Sequence, residues 1–396
     1  MQTEAQFLPD DGYQGSLLGR IWNPSGACAG PSVVAVRAAG VFDVSARFPT
    51  VADLLDQADP AAALAGTPGV LLGSVAQILA NTPAHQRTND APYFLAPIDV
   101  QVIKAAGVTF ADSLLERVIE EHTKGDASKA QASRALVQAV MGDGVHSVKP
   151  GSAQAAALKQ VLQEKGWWSQ YLEVGIGPDV EVFTKAPVLA AVGTGQAVGI
   201  RSDSVWNNPE PEVVLVVNAH GRAVGATLGN DVNLRDIEGR SALLLGKAKD
   251  NNASCAIGPL VRLFDVTFDL DDVRQMQVDL TVRGTDGFEM CGVNQMARIS
   301  RDPLEILAQT TACHQYPDGF VLFMGTLFAP TQDRGEAGSG FTHQRGDVVR
   351  IRSSALGELC NVVEHSEAAP PWRFGVRALM RNLGQRGLLR TDNEQA

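Results

Sequence analysis

Residues 206–231, WNNPEPEVVLVVNAHGRAVGATLGND, leave the backbone few options. Pro209 and Pro211 push the residues before them into the extended region. Five apolar residues follow Glu212, and His220-Gly221 then marks a turn. A β-hairpin is predicted, with its far end folded back beside its start. Side chains alternate along a strand, so Glu210 and Glu212 point to one side. The returning strand runs out to Asp231, nineteen residues after Glu212. Proline has no ladder donor, which leaves this end of the hairpin open on one edge, where a cleft can form. Two like charges on one face need water or a cation to offset them. Three carboxylates meeting there favour a hard cation, magnesium or manganese ahead of zinc. Taken alone, though, the two glutamates read more simply as surface groups on a solvated strand end.

The rest of the chain narrows the class. At 396 residues, with 45% apolar and 19% charged residues, it is globular and long enough for one large and one small domain. A net charge of −11 without a basic run argues against nucleic acid or an anionic membrane as the main partner. Neither a basic-then-apolar start nor eighteen consecutive apolar residues occurs, so a soluble cytoplasmic protein is expected. Cys28, Cys255, Cys291, Cys313 and Cys360 form no close pair, which suits reduced thiols rather than a zinc knuckle or redox couple. The histidines are spread singly; His343 alone sits near a chemically interesting segment.

Residues 1–100 alternate short apolar stretches with Pro and Gly breaks and predict a small α+β domain. Residues 101–390 predict a catalytic domain with a helical insertion near 112–168. One helix is expected at 113–122. A second is expected to stop at Gly142 and Gly144, and a third spans 152–165 between a Ser152 cap and Gly166. Strand texture begins at Val182 and is broken by one helix that Asp302 caps and Pro303 opens. Residues 391–396 read as a loose tail.

The hairpin is followed by GNDVNLRDIEG (229–239), LLLGKAKDNNASCAIGPLV (243–261), FMGTLFAP (323–330) and HQRGDVVRIRSSALGELCNVV (343–363). In this order they resemble the fumarylacetoacetate hydrolase superfamily over roughly residues 109–363, and most closely its 2-keto-3-deoxy-pentonate dehydratase branch. The resemblance implies an α+β fold with a mixed β-roll around a divalent metal, Mg²⁺ or Mn²⁺. It places the metal ligands at Glu210, Glu212 and Asp231, and an active-site lysine at Lys249, nine residues before Gly258. Substrate contacts fall to Lys185 in FTKAPVL, to Gly325 and Thr326 of the Gly-Thr turn, and to Arg235. For Arg235, structural pairing with Asp236 or Glu238 is an equal alternative. A homodimer or homotetramer is also implied, with the N-terminal domain as an interface.

One departure separates this sequence from the hydrolases, which carry Asn-Tyr-x-x-His-x-x-Glu where residues 109–116 read TFADSLLE. Ser113 stands in the histidine place and Glu116 is kept. A carboxylate alone is a poorer device for activating water, whereas elimination needs only a proton taken and a hydroxyl helped away. The expectation is a metal-dependent dehydratase acting on a 2-oxo sugar acid, 2-keto-3-deoxy-pentonate to 2,5-dioxopentanoate, with Lys249 and Glu116 moving protons. An acylpyruvate or fumarylacetoacetate-type hydrolase is the alternative, and a non-catalytic binding protein on the same scaffold is the second.

Overall fold

The computed structural model describes residues 2–25, 28–141, 148–335 and 340–389. The expected tail at 391–396, the helix stop at Gly142 and Gly144, and His146 lie outside the described residues.

The predicted hairpin forms. Strands Pro211–Val217 and Ala223–Asp231 pair antiparallel, with Glu212 opposite Gly229 and Pro211 opposite Asn230. All seven residues of the first strand are buried, because both of its faces are covered. Val213, Leu215 and Val217 enter a core with Val278, Leu280, Val349 and Ile351. Val214 and Val216 enter another with Leu18, Leu54, Ile257 and Val261. A strand covered on two sides reads as an unbroken apolar run, which is what residues 213–217 show.

The hairpin sits inside an eleven-stranded mixed sheet. Beyond Ala223–Asp231 lies Cys255–Leu263, and beyond Pro211–Val217 come Phe320–Phe323, Val102–Gly107 and Glu181–Ala186. Phe320–Phe323 runs parallel to Val102–Gly107. A second, five-stranded sheet contains Gln277–Arg283, Val348–Ser353 and Gly357–His365 and packs on the first through the core of Val213 and Val278. The fold is thus α+β.

Residues 1–100 build a largely local core of Phe7, Leu17, Ile21, Val34, Ile78 and Phe94, which Leu260 joins from the rest of the chain. Leu17 and Leu18 pair with Arg262 and Val261, so the strands Leu17–Asn23, Gly30–Arg37, Gly40–Asp43 and Val70–Gly73 extend the large sheet. The expected division near residue 100 therefore has backbone pairing running across it, through Leu17 and Leu18 to Cys255–Leu263. The helical segment is present as Ala111–Thr123, Ala130–Met141, Ala153–Glu164 and Gln170–Gly175. It has a small core of Leu114, Val118, Leu162 and Leu172. The Ser152 side chain accepts from the Ala155 amide as a cap should. Asp302 caps Pro303–Thr311 in the same way. Two further helices, Arg235–Glu238 and Leu245–Lys249, are too short to leave a periodic signature.

Candidate metal centre and active site

Glu210, Glu212 and Asp231 each present a carboxylate oxygen, all three within 4.8 Å of one another and all buried. The backbone enforces the meeting. The Asp231 amide donates to the Glu210 carbonyl at 3.1 Å, and the Glu210 amide donates to Asn230 Oδ1 at 3.1 Å. Three oxygen donors converging in a dry site fit a hard divalent cation; a thiolate or imidazole is missing from the set.

The three carboxylates are not equivalent. Lys249 Nζ, at the end of Leu245–Lys249, lies 2.5 Å from Glu210 Oε2 and 3.1 Å from Asp231 Oδ2. Lys185 Nζ holds the other Asp231 oxygen at 2.9 Å. Arg117 pairs with Glu210 as well. Glu212 has no ion pair among the described residues, and its Oε2 accepts the Gly325 amide at 2.6 Å. Burial, with Asp231 and Glu210 adding repulsion, pushes the Glu212 carboxyl well above the usual range. For Asp231 burial pulls the same way, but Lys185 and Lys249 outweigh it and hold the carboxyl low. Burial alone would lower the Lys249 ammonium; Asp231, Glu210 and Glu238 hold it above the ordinary lysine value. Its three carboxylate neighbours thus favour the charged ammonium, a form that has a proton to give rather than one to take.

The cavity over this triad is lined by Lys249, Arg117, Glu181, Glu238, Ser113 and Thr326 among others. Glu181 is the carboxylate the sequence reading missed. It belongs to Glu181–Ala186, where alternation puts Glu181, Phe183 and Lys185 on one face. Lys185 on that face grips Asp231 while Glu181 and Phe183 line the cavity. That spacing in VEVFTK was legible and went unused. The carboxylate rests against Gly107, where a Cβ would sit 2.1 Å from Glu181 Oε2. Burial raises the Glu181 carboxyl, partly countered by Arg117 and Lys249. Val108, the next residue in the wall, takes φ +55°, an outlier for a β-branched side chain at the edge of the site.

Arg117 was also missed. It stands four residues after Ser113 on Ala111–Thr123, so both face the cavity. Its guanidinium joins Glu210 to Glu120 at 2.8 Å and Glu238 at 3.2 Å. Glu238, buried beside Glu210 and Glu120, is pushed up to about 7 despite Arg117 and Lys249.

Glu116 is not brought to the cavity. Its two oxygens are taken at 2.7 Å each by Arg134 Nε and Nη2, on the next helix, and Arg235 Nη2 lies 3.1 Å from it. One helical step from Arg117, its side chain is turned towards a neighbouring helix and away from the expected proton-transfer position. Arg235 is likewise outside the lining. It donates to Glu120 at 2.7 Å and packs over the Trp206 ring at 4.2 Å. Neither expected partner takes it, since Asp236 accepts from Ser204 Oγ at 2.7 Å and Glu238 meets Arg117. Lys185 is fully buried behind Asp231, donates also to the Lys249 carbonyl at 2.5 Å, and is not among the residues that line the cavity. Gly325 and Thr326 do line the cavity. His343 is bound to Asp347 at 3.1 Å and takes no part in the lining.

A carboxylate triad on one hairpin, backed by two lysines within a mixed sheet, defines a class. Residues 154–364 match the fumarylacetoacetate (FAA) hydrolase C-terminal family model, and the chain belongs to that family. Within it, the chain is 32% identical over 201 residues to the probable 2-keto-3-deoxyxylonate dehydratase of Haloferax volcanii, an alignment covering 51% of this chain and 66% of that protein. It is 32% identical over 189 residues to the 2-dehydro-3-deoxy-D-arabinonate dehydratase of Saccharolobus solfataricus, covering 46% of this chain and 58% of the relative. The chain thus spans less than two thirds of the length of either relative. Among solved structures, a hexagonal crystal form of 2-keto-3-deoxyarabinonate dehydratase superposes with a TM-score of 0.61 at 20% identity, covering 88% of this chain and 99% of that one. A 2-keto-3-deoxy-D-arabinonate dehydratase complexed with magnesium and 2,5-dioxopentanoate gives 0.57 at 19% over the same coverage. These superpositions carry the fold.

Proposed function

We propose that the protein is a magnesium-dependent hydro-lyase converting 2-keto-3-deoxy-pentonate to 2,5-dioxopentanoate. The observation that carries this reading is the buried triad with a charged lysine, Lys249, at hydrogen-bond distance from two of its members. The names of the two relatives and the product held by the related structure support the same substrate class. Glu210, Glu212 and Asp231 would hold the cation, which when bound supplies Lewis acidity towards a 2-oxo acid.

The chain's own groups then divide the work. Thr326, beside the Glu212–Gly325 contact, is placed to receive the substrate carboxylate. Outside the triad, Glu181 is a cavity carboxylate without an ion pair among the described residues. It takes the C3 proton as general base, while Lys249 delivers a proton to the departing C4 hydroxyl. One water leaves per turnover, and the resulting 5-hydroxy enone isomerises to the aldehyde. The hydrolytic alternative loses its water-activating pair, because Ser113 Oγ donates to the Phe110 carbonyl at 2.9 Å and Glu116 is held by Arg134.

The proposal extends to a cytoplasmic homo-oligomer. All five cysteines are free, and strand Val70–Gly73 ends the large sheet with Val70 and Leu71 exposed, an edge that a second copy could cover. No helix among the described residues is long and apolar enough to cross a membrane. The test of the activity is to offer the purified protein 2-keto-3-deoxy-pentonate with magnesium or with EDTA. Semialdehyde formed only with metal is expected; its absence in both, or its undiminished formation in EDTA, overturns the reading.

A further inference from the structure

A second cavity of about 300 Å³ lies away from the triad and shares no lining residue with it. Its chemistry differs from that of the acidic site. Trp22, Tyr93, Trp372 and Phe374 contribute ring surface, and Arg20, Arg87 and Arg373 contribute charge, with no acidic side chain in the wall. None of the three guanidinium groups has a carboxylate within ion-pair distance among the described residues. The buried Asp99 answers Arg20 from beyond ion-pair distance, which leaves Arg87 and Arg373 as the cations the cavity presents to a ligand.

The donors are also held ready. Arg87 stacks over the Tyr93 ring, 3.6 Å from its centroid, while its Nε is buried without a hydrogen-bond partner. Gln196 Nε2, in the same wall, is buried and unpartnered too. Burial draws down the affinity of Arg87 for its proton, and that of Arg20 despite Asp99, a cost that a bound anion would reduce. Trp22 lies nearly parallel to Tyr93, at 13°, and edge-on to Phe374. Flat ring faces select a flat ligand, and unmatched guanidinium forks select a carboxylate or phosphate.

We propose that this cavity binds a small planar anion, an aromatic or heteroaromatic ring bearing one carboxylate or phosphate group. Its size suits a compact ligand of that kind. The walls connect it to the metal site. Residues 189–193 come shortly after the strand that carries Lys185, and residues 252 and 253 lie three and four positions beyond Lys249. An occupant therefore presses on the backbone that positions both lysines around Asp231. The proposal stands whether or not the dehydratase reading does.

Two probes separate the sources of such an anion: 4-hydroxybenzoate for the aryl carboxylates and adenosine 5′-monophosphate for the nucleotides. Each is titrated into the full-length protein, with tryptophan fluorescence reporting on Trp22 and Trp372 and calorimetry giving the affinity. Inorganic phosphate and 4-hydroxybenzamide serve as the ring-free and charge-free controls. Saturable binding of at least one ring acid is expected, weakened tenfold or more by Arg87→Gln and by Arg373→Gln, and not matched by either control. Arg373 is exposed, so its variant keeps the fold even if Arg87→Gln does not. Failure of both ring acids to bind, binding unchanged in Arg373→Gln, or equally tight binding of a control overturns the proposal.

Discussion

Gly325 is the position at which a single methyl group tests the geometry of the metal centre. Its φ is +84°, and a Cβ there would fall 2.0 Å from Thr109 Oγ1 and 3.1 Å from the Ala106 carbonyl. Its amide is the donor that Glu212 Oε2 accepts at 2.6 Å. In Gly325→Ala a left-handed backbone costs an L-residue about 1–2 kcal/mol. Forcing a methyl group into a packed wall adds roughly 1–3 kcal/mol. Loss of a hydrogen bond to a charged group adds a further ~1.5–3 kcal/mol. These terms overlap, so a loss of about 4 kcal/mol is expected, read in EDTA as a melting temperature lower by on the order of 5 °C. The stabilisation conferred by saturating magnesium, about 2.7 kcal/mol at a hundredfold excess over Kd, should shrink as well, since Glu212 is no longer fixed. Repeating the substitution in Thr109→Ala separates the causes: removing Oγ1 should return the packing share and leave the backbone share. If Gly325→Ala melts and responds to magnesium like the wild type, the turn does not position Glu212. An identical penalty in both backgrounds would show that the collision with Thr109 is not what matters.

Glu212→Gln replaces a buried carboxyl whose ionised form is already disfavoured by burial and by acidic neighbours with oxygens within 4.8 Å. Its melting temperature in EDTA should hold or rise while the magnesium-induced shift disappears, and a normal shift by differential scanning calorimetry would remove Glu212 from the ligand set. Glu181→Gln should keep that shift and lose turnover by roughly 10²-fold or more; loss of metal binding instead would make Glu181 a ligand. Glu238 is pushed from an ordinary 4.5 up to about 7, mainly by burial, so the folded state holds a proton that the unfolded chain has released. Its contribution is full below about pH 4.5 and is lost as pH rises through about 7, a change of about 3 kcal/mol. Glu238→Gln should flatten that part of the stability profile measured in EDTA, and an unchanged profile would assign the proton elsewhere.

The hairpin was legible because its signals are local. Two prolines, a Gly turn and an apolar run each act within a few residues, and together they bring Glu210, Glu212 and Asp231 to one end. Lys249 and the Gly-Thr turn were reached through resemblance, since a five-residue helix and a tight turn leave no periodic pattern. Glu116 illustrates the opposite case. The motif kept its position, but which way a helical side chain faces depends on partners elsewhere, and Arg134 and Arg235 claim it. Arg117 and Glu181 were accessible through spacing on their own elements. Their importance follows only from pairings between strands distant in sequence, as between Lys104 and Thr184 of neighbouring strands. The pairing across residue 100 was invisible for a related reason: no short-range signal tells strand Leu17–Asn23 that one of its partners is Cys255–Leu263.

The closing of the Gly-Thr turn over Glu212 also sets a timetable. The hairpin that carries the three carboxylates can pair as soon as it is made, but the amide that Glu212 needs belongs to a residue 113 positions further on, and Thr109 waits for the Met324 carbonyl across 215 positions. At a synthesis rate of about 5–20 residues per second the hairpin emerges on the order of ten seconds before its cover. Through that interval the acidic end stands open to every cation around the ribosome. The metal centre is therefore finished only with the late-made stretch 320–326, which pairs with the hairpin's first strand and brings the Gly325 amide to Glu212.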